Sequence, residues 1–146
     1  MIGRLTSFLR LARDRTAAVT VKFALLSFIM FGMLLGVMQV GIGMQNYNAI
    51  RNVSADVARY VTVQDQTGNV LTNSQIRTYA ISTGKSAPYL LQDARLNASV
   101  ADATTQRVAG AREIELTITY RVPSLLTVLD IYSPNITYTR PIFVVT

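Results

Sequence analysis

The sequence predicts a membrane-anchored α+β fold. A long N-terminal helix has a transmembrane half and an amphipathic outer half, and a small three-stranded antiparallel sheet packs on the outer half. Three observations lead there. Residues 23–44, FALLSFIMFGMLLGVMQVGIGM, run 22 residues without a charge, and only Ser27 and Gln39 are clearly polar. Around 20 apolar residues at a 1.5 Å rise cover the roughly 30 Å hydrocarbon core of a bilayer. Apolar residues then recur every three or four positions, at Tyr47, Ile50, Val53, Val57 and Tyr60 or Val61. From Glu113 to Val122 the period becomes two.

The chain begins with MIGRLTSFLRLA. Its leucines and arginines fit either a short amphipathic helix on the inner leaflet or a solvated leader. Residues 1–22 carry Arg4, Arg10, Arg13, Arg15 and Lys22 against Asp14 alone. Basic residues beside an apolar helix mark its cytoplasmic side and attract anionic headgroups. The apolar run is longer than a secretory signal and ends in GIGMQNY, with no small-x-small cleavage site. A signal anchor is expected, with residues 45–146 outside. Lys22 at the border snorkels, its stem in the acyl region and its ammonium among headgroups.

Gly32 and Gly36 form a GxxxG pattern, which lets helices approach closely in lipid. Beyond Met44, Arg51, Asp56 and Arg59 fall on the face opposite the apolar stripe, so one helix is expected from about Ala18 to Val63. At 1.5 Å per residue it is about 70 Å long. Its outer stripe faces water and needs a partner. Asp65 to Asn69 is a turn cluster. Asn73 to Thr83 reads as a short helix, capped by Thr72 or Asn73, with Gly84 suited to the position just past its end. Leu96 to Ala101, Glu113 to Val122 and Asn135 to Val145 read as strands, and Pro141 marks the last as an edge or a bulge. Ser124 to Asp130, between Pro123 and Pro134, suits one or two helical turns. Three strands with one apolar face can cover the outer half of the helix, which satisfies both stripes. The expected divisions are a basic leader at 1–17, the long helix at 18–63, and a small extracytoplasmic head at 64–146.

Composition narrows the function. The chain has no Cys and no His, so it lacks thiolate chemistry, the commonest general base and the commonest transition-metal ligand. No catalytic, cofactor-binding or metal site is predicted, and no enzymatic activity. The net charge is +6 with a pI near 10.1. However, residues 51–146 carry nine basic and seven acidic residues, so the excess is juxtamembrane. Without an aromatic-rich basic patch, nucleic acid is not an expected partner. Gly84-Lys85-Ser86 resembles the end of a phosphate loop, but Tyr79 stands where its first Gly belongs, and a surface turn is expected. Glu113 and Glu115 lie two apart on one strand, where a solvated face is the expected reading.

The segment from Arg13 to Leu25, RDRTAAVTVKFAL, resembles the N-terminal signature of TadE-like proteins. These are minor pilins or pseudopilins of the tight-adherence (Tad) pilus assembly system, which is type IV pilus-like. The stretch Tyr47 to Tyr60, YNAIRNVSADVARY, is similar to that family's helical extension. The strand Ile114 to Val122, Pro123 and the threonine-rich last strand are similar to its tail.

The resemblance implies a single-pass protein of the bacterial inner membrane, with a cytoplasmic N-terminus and a periplasmic or extracellular head. The partners it implies are membrane lipid, other pilins or pseudopilins, Tad platform proteins and prepilin peptidase. It places the cleavage junction between Ala17 and Ala18, followed by Lys22 and Phe23. The family has Gly at the position of Ala17 and Glu at that of Lys22, so the charge is reversed here. A Lys beside a neighbour's free N-terminal amine in low dielectric is repulsive. Gly32, Gly36, Tyr47, Ile50, Val53, Val57 and Tyr60 are the helix-packing residues. The expected role is structural, in surface adhesion or secretion. The alternative is a membrane-tethered binding or sensing module unrelated to pili, with a ligand pocket in 64–146.

Overall fold

The computed structural model describes residues 15–105, 107–125 and 134–145. Helix α1 spans Arg15–Gln66, helix α2 spans Asn73–Lys85, and a 3-10 turn covers Asp93–Arg95. Strands β1 (Leu96–Asp102), β2 (Ala111–Arg121) and β3 (Asn135–Val145) form one antiparallel sheet in the order β1-β2-β3. The α+β class and the three strands are as expected. The proposed leader helix at 1–12, and residues 126–130 of the proposed turn after Pro123, lie outside the described residues. Two compact units divide the chain, Met1–Gln39 and Val40–Thr146.

The second unit holds the core. Ile50, Val53, Val57 and Val61 of α1 are buried, three to four residues apart, so they form one helix face. Of the two residues expected to continue the stripe at 60–61, Val61 is the one in the core. Ile76 and Ala80 of α2 join them. From the sheet come Leu96 and Ala98 of β1, Ile114, Leu116, Ile118 and Tyr120 of β2, and Ile142 and Val144 of β3. Alternation along each strand puts these residues on one face. Fully burying each aliphatic side chain contributes about 1.5–3 kcal/mol. Ser54 is buried within the same helix face, and its hydroxyl donates to the Arg51 carbonyl at 2.7 Å, so no orphaned donor enters the core.

β3 runs along the outer part of α1. Near its start, Ile136 lines a groove with Met44, Tyr47 and Asn48, and Tyr138 meets Tyr47 edge-to-face at 6.0 Å. Near its end, Val144 lies with Val61 and Asp65. Eight residues of strand cover about 26 Å. The corresponding stretch of helix, about 17 residues, covers about the same length. Matched lengths explain why the helix needs about five turns beyond the uncharged run.

α2 is held at both ends. Thr72 is its N-cap in a capping box: its hydroxyl accepts from the Gln75 amide, and the Gln75 side chain accepts from the Thr72 amide at 2.8 Å. The C-cap is Ser86, two residues beyond the glycine proposed for that end. Gly84 lies inside the helix and is buried. A Cβ there would come within 2.8 Å of Leu96 Cδ2 and 3.6 Å of Leu91 Cδ1. Close packing of α2 on β1 therefore selects glycine at 84, rather than a left-handed cap. The phosphate-loop-like Gly84-Lys85-Ser86 is the end of this helix, and Lys85 Nζ pairs with Asp93 Oδ2 at 2.8 Å.

Polar contacts fasten the edges. Arg77 Nε donates to the Ala98 carbonyl at 2.8 Å, linking α2 to β1. Arg112 Nε donates to Asp102 Oδ1 at 2.8 Å, and its Nη2 donates to Asn73 Oδ1 at 2.9 Å. Asn73 Nδ2 donates in turn to Asp102 Oδ2. The hydrogen bond from Arg112 holds the Asp102 carboxyl below the usual carboxylate range, and the Asn73 bond and the arginine charge add to it. On the other face of the sheet, Thr117 pairs with Thr139 at 3.0 Å and Thr119 with Thr137 at 3.2 Å.

Glu113 departs from the expected solvated face. Its side chain is 2% exposed, whereas Glu115 is exposed. The loop between β1 and β2 covers it. The Arg107 amide donates to Glu113 Oε2 at 3.0 Å, and Arg107 Nε lies 3.3 Å from Oε1. The Ala103 amide donates to the Glu113 carbonyl at 2.8 Å. A carboxylate that accepts from a loop backbone acts as a template for that loop.

Candidate functional site

The residues singled out for function all lie on α1, but in two settings. The first setting is the uncharged run. Ala18, Lys22 and Phe23 are exposed on the helix, with Phe23 70% accessible. Val19, Leu26, Ile29, Met33 and Val37 are likewise more than half exposed. So many large apolar side chains on one helix cannot be covered by a few hundred square ångströms of chance surface patch. The helix from Ala18 is long and apolar enough to cross a membrane, and it stands near the N-terminus. A Cβ added at Gly32 or Gly36 would meet nothing within 4 Å. Among the described residues these glycines therefore border open space. The Ala17–Ala18 bond falls inside α1, which starts at Arg15.

The second setting is the outer part of the helix. Ile50, Val53 and Val57 have no exposed surface and are consumed by the chain's own core. Tyr47 and Tyr60 flank that stripe and stay partly accessible. Tyr47 is 41% exposed beside Tyr138. Tyr60 stacks on Tyr79 of α2, with ring centroids 3.9 Å apart and planes 15° from parallel. Aromatic stacking adds about 0.5–1.5 kcal/mol to area burial. Of the polar face, Asp56 Oδ2 accepts from the Tyr89 hydroxyl at 2.7 Å. That hydrogen bond raises the Tyr89 phenol above its usual pKa, with burial and the carboxylate charge acting in the same direction.

Tyr60 and Tyr79 also border an open groove of about 490 Å³ with Asn69, Ser74, Gln75, Thr78 and Ser82. Among the described residues no three His, Cys, Asp or Glu side chains converge as a metal-binding group. The sequence pattern missed two structural anchors, Glu113 and Gly84. Only the packing of distant segments against them reveals either role.

Comparison with known proteins adds a match at the helix. A family model described as TadE-like protein matches residues 17–59. The match starts at Ala17, takes in the uncharged run, and ends at Arg59 after the buried Ile50, Val53 and Val57. No curated protein and no solved structure matches the chain. The segment that organises this molecule, residues 17–59 of α1, is TadE-like.

Proposed function

We propose that the chain is a minor pilin or pseudopilin of a Tad-type pilus. It would act by helix packing in the bacterial inner membrane and by docking partners outside it. The TadE-like match over residues 17–59 carries this reading, because it falls on the helix whose apolar surface is left uncovered. In this reading residues 1–17 are a cytoplasmic leader, 18–63 the anchoring helix and 64–146 the head. The role is structural rather than enzymatic.

Gly32 and Gly36 supply the face on which a neighbouring pilin or platform helix packs. They border open space in the single chain and carry no side chain to hold a partner away. Ile50, Val53 and Val57 hold the head on its own helix, while Tyr47 and Tyr60 sit at its margins. Prepilin peptidase would cut between Ala17 and Ala18, the first positions of the family match. Lys22 then stands where the family carries Glu, so pairing with a neighbour's N-terminal amine is not available. Lateral association rests on shape and dispersion instead.

Photo-crosslinking tests this. A benzophenone residue at Gly36 in the living host should capture a pilin or another apolar helix of the pilus machine. A benzophenone at Val57 should give only intramolecular products. Capture of no pilus component from Gly36, with the protein present at normal level, contradicts the proposal.

A further inference from the structure

We propose that the membrane-proximal end of the head is itself a lipid-binding surface, seated at the boundary between headgroups and acyl chains. This rests on the reading of α1 as a membrane anchor. The surface is an open groove of about 520 Å³ lined by Val40, Gly43, Met44, Tyr47, Asn48 and Ile136. Val40 and Met44 are 62% and 66% exposed. β3 brings Ile136 to the groove from 88 residues further along the chain, and Tyr138 lies beside it against Tyr47.

Three features select lipid as the occupant. The groove is continuous with the uncharged run that ends at Met44, and Tyr47 follows one helical turn later. One turn advances about 5 Å, from the edge of the hydrocarbon to headgroup level. Tyrosine is the residue type that settles there, with its ring among acyl chains and its hydroxyl in water. Two tyrosines from different elements, Tyr47 and Tyr138, meet at this level.

The charge agrees. β2 ends here at exposed Arg121, paired in register with Asn135. Arg95 also reaches this end, where its Nη1 donates to the Val122 carbonyl at 3.4 Å. Among the described residues here, the acid Asp93 is already paired with Lys85. Both arginines lie at the strand ends on this side of the head, outside the groove's own lining, where basic side chains favour anionic headgroups. In this proposal both α1 and β3 contribute to the lipid surface.

The absence of cysteine allows a clean test. The full chain is reconstituted in vesicles of phosphatidylethanolamine and phosphatidylglycerol, carrying one environment-sensitive fluorophore at Phe31→Cys, Ile136→Cys or Ser74→Cys. Spin-labelled lipids then report depth. Quenching at Phe31 by deep labels, and at Ile136 by shallow labels at several-fold the Ser74 level, is the expected result. Asn48→Cys, exposed on the same groove, repeats the reading should a label at half-buried Ile136 perturb the fold. Quenching at Phe31 with Ile136 and Asn48 no different from Ser74 overturns the lipid surface and leaves the anchor standing. No quenching at Phe31 overturns the anchor reading and the lipid surface with it. Shielding of Ile136 and Asn48 from both lipid and aqueous quenchers, with label–label coupling between copies, overturns lipid in favour of a second copy of the chain.

Discussion

Gly84 of α2 faces Leu96 at the start of β1 so closely that a Cβ on residue 84 would lie 2.8 Å from Leu96 Cδ2. Leu96 is itself buried, and Leu91 and Val53 close the same space. Glycine inside a helix costs about 1 kcal/mol relative to alanine. The close approach offsets that cost by letting α2, α1 and β1 meet. Gly84→Val is expected to destabilise the head by about 1–3 kcal/mol through overpacking. Denaturant unfolding of the detergent-solubilised protein measures it. An unchanged midpoint would show that Leu96 can turn aside.

Glu113 supports the loop between β1 and β2. Truncation to alanine leaves the Arg107 amide without its acceptor and opens a space under the loop. Glu113→Ala should destabilise the head by about 1–3 kcal/mol. Glu113→Gln keeps an acceptor oxygen and should be milder. Hydrogen exchange at the Arg107 amide discriminates the two: fast in the alanine variant, intermediate in the glutamine variant, slow in the wild type. Equal exchange in all three contradicts the template role.

The two perturbed groups act at opposite ends of the pH scale. Asp102 has a lowered pKa in the folded head, so its contribution is present above the unfolded carboxylate pKa and is lost as pH falls through the folded value. Tyr89 has a raised pKa, so its contribution is present below the ordinary phenol pKa and is lost as pH rises through the folded value. Both contributions are small, because Asp102 is more than half exposed and Tyr89 is only half-buried. Stability should fall below about pH 4 and again above about pH 10, near the ordinary values of the two groups. Asp102→Asn should flatten the acid arm alone, and Tyr89→Phe the alkaline arm alone. A variant that flattens both arms contradicts this assignment.

Much of this fold is legible in the sequence because its driving forces are periodic. The uncharged run announces a helix, and the Ile50-Val53-Val57 stripe and the alternation from Ile114 to Val122 each announce an element and its buried face. Even the edge position of β3 follows from Pro141, which offers no amide to a central ladder. The errors arise where a non-local contact overrides a local preference. Gly84 looks like a helix stop until Leu96 arrives from another element. Glu113 alternates as a solvent-facing residue until a loop six residues upstream folds over it. Tyr60 and Val61 are equivalent by spacing, and only the positions of α2 and the sheet make Val61 core and Tyr60 a stacking partner. The glycines at 32 and 36 are different again: among the described residues nothing lies within 4 Å of a Cβ added there, so the contacts of this chain leave their proposed packing role to experiment.

The proposed processing at the start of α1 gives a mass prediction. Intact mass of the protein from host membranes should show a species beginning at Ala18. Lys22→Glu introduces the acid that the TadE-like resemblance leads one to expect there, and it should be processed at least as completely. A wild-type species beginning at Met1 alone would remove the Ala17–Ala18 junction from the account.

The central proposal is that this chain, TadE-like over residues 17–59, builds or supports a surface pilus. Deletion of its gene, with and without complementation, followed by counting pili on cells by electron microscopy, tests this most directly. The account predicts that piliation falls on deletion and returns with the wild-type gene. Unchanged piliation in a deletion strain whose adhesion depends on its Tad pili would contradict it.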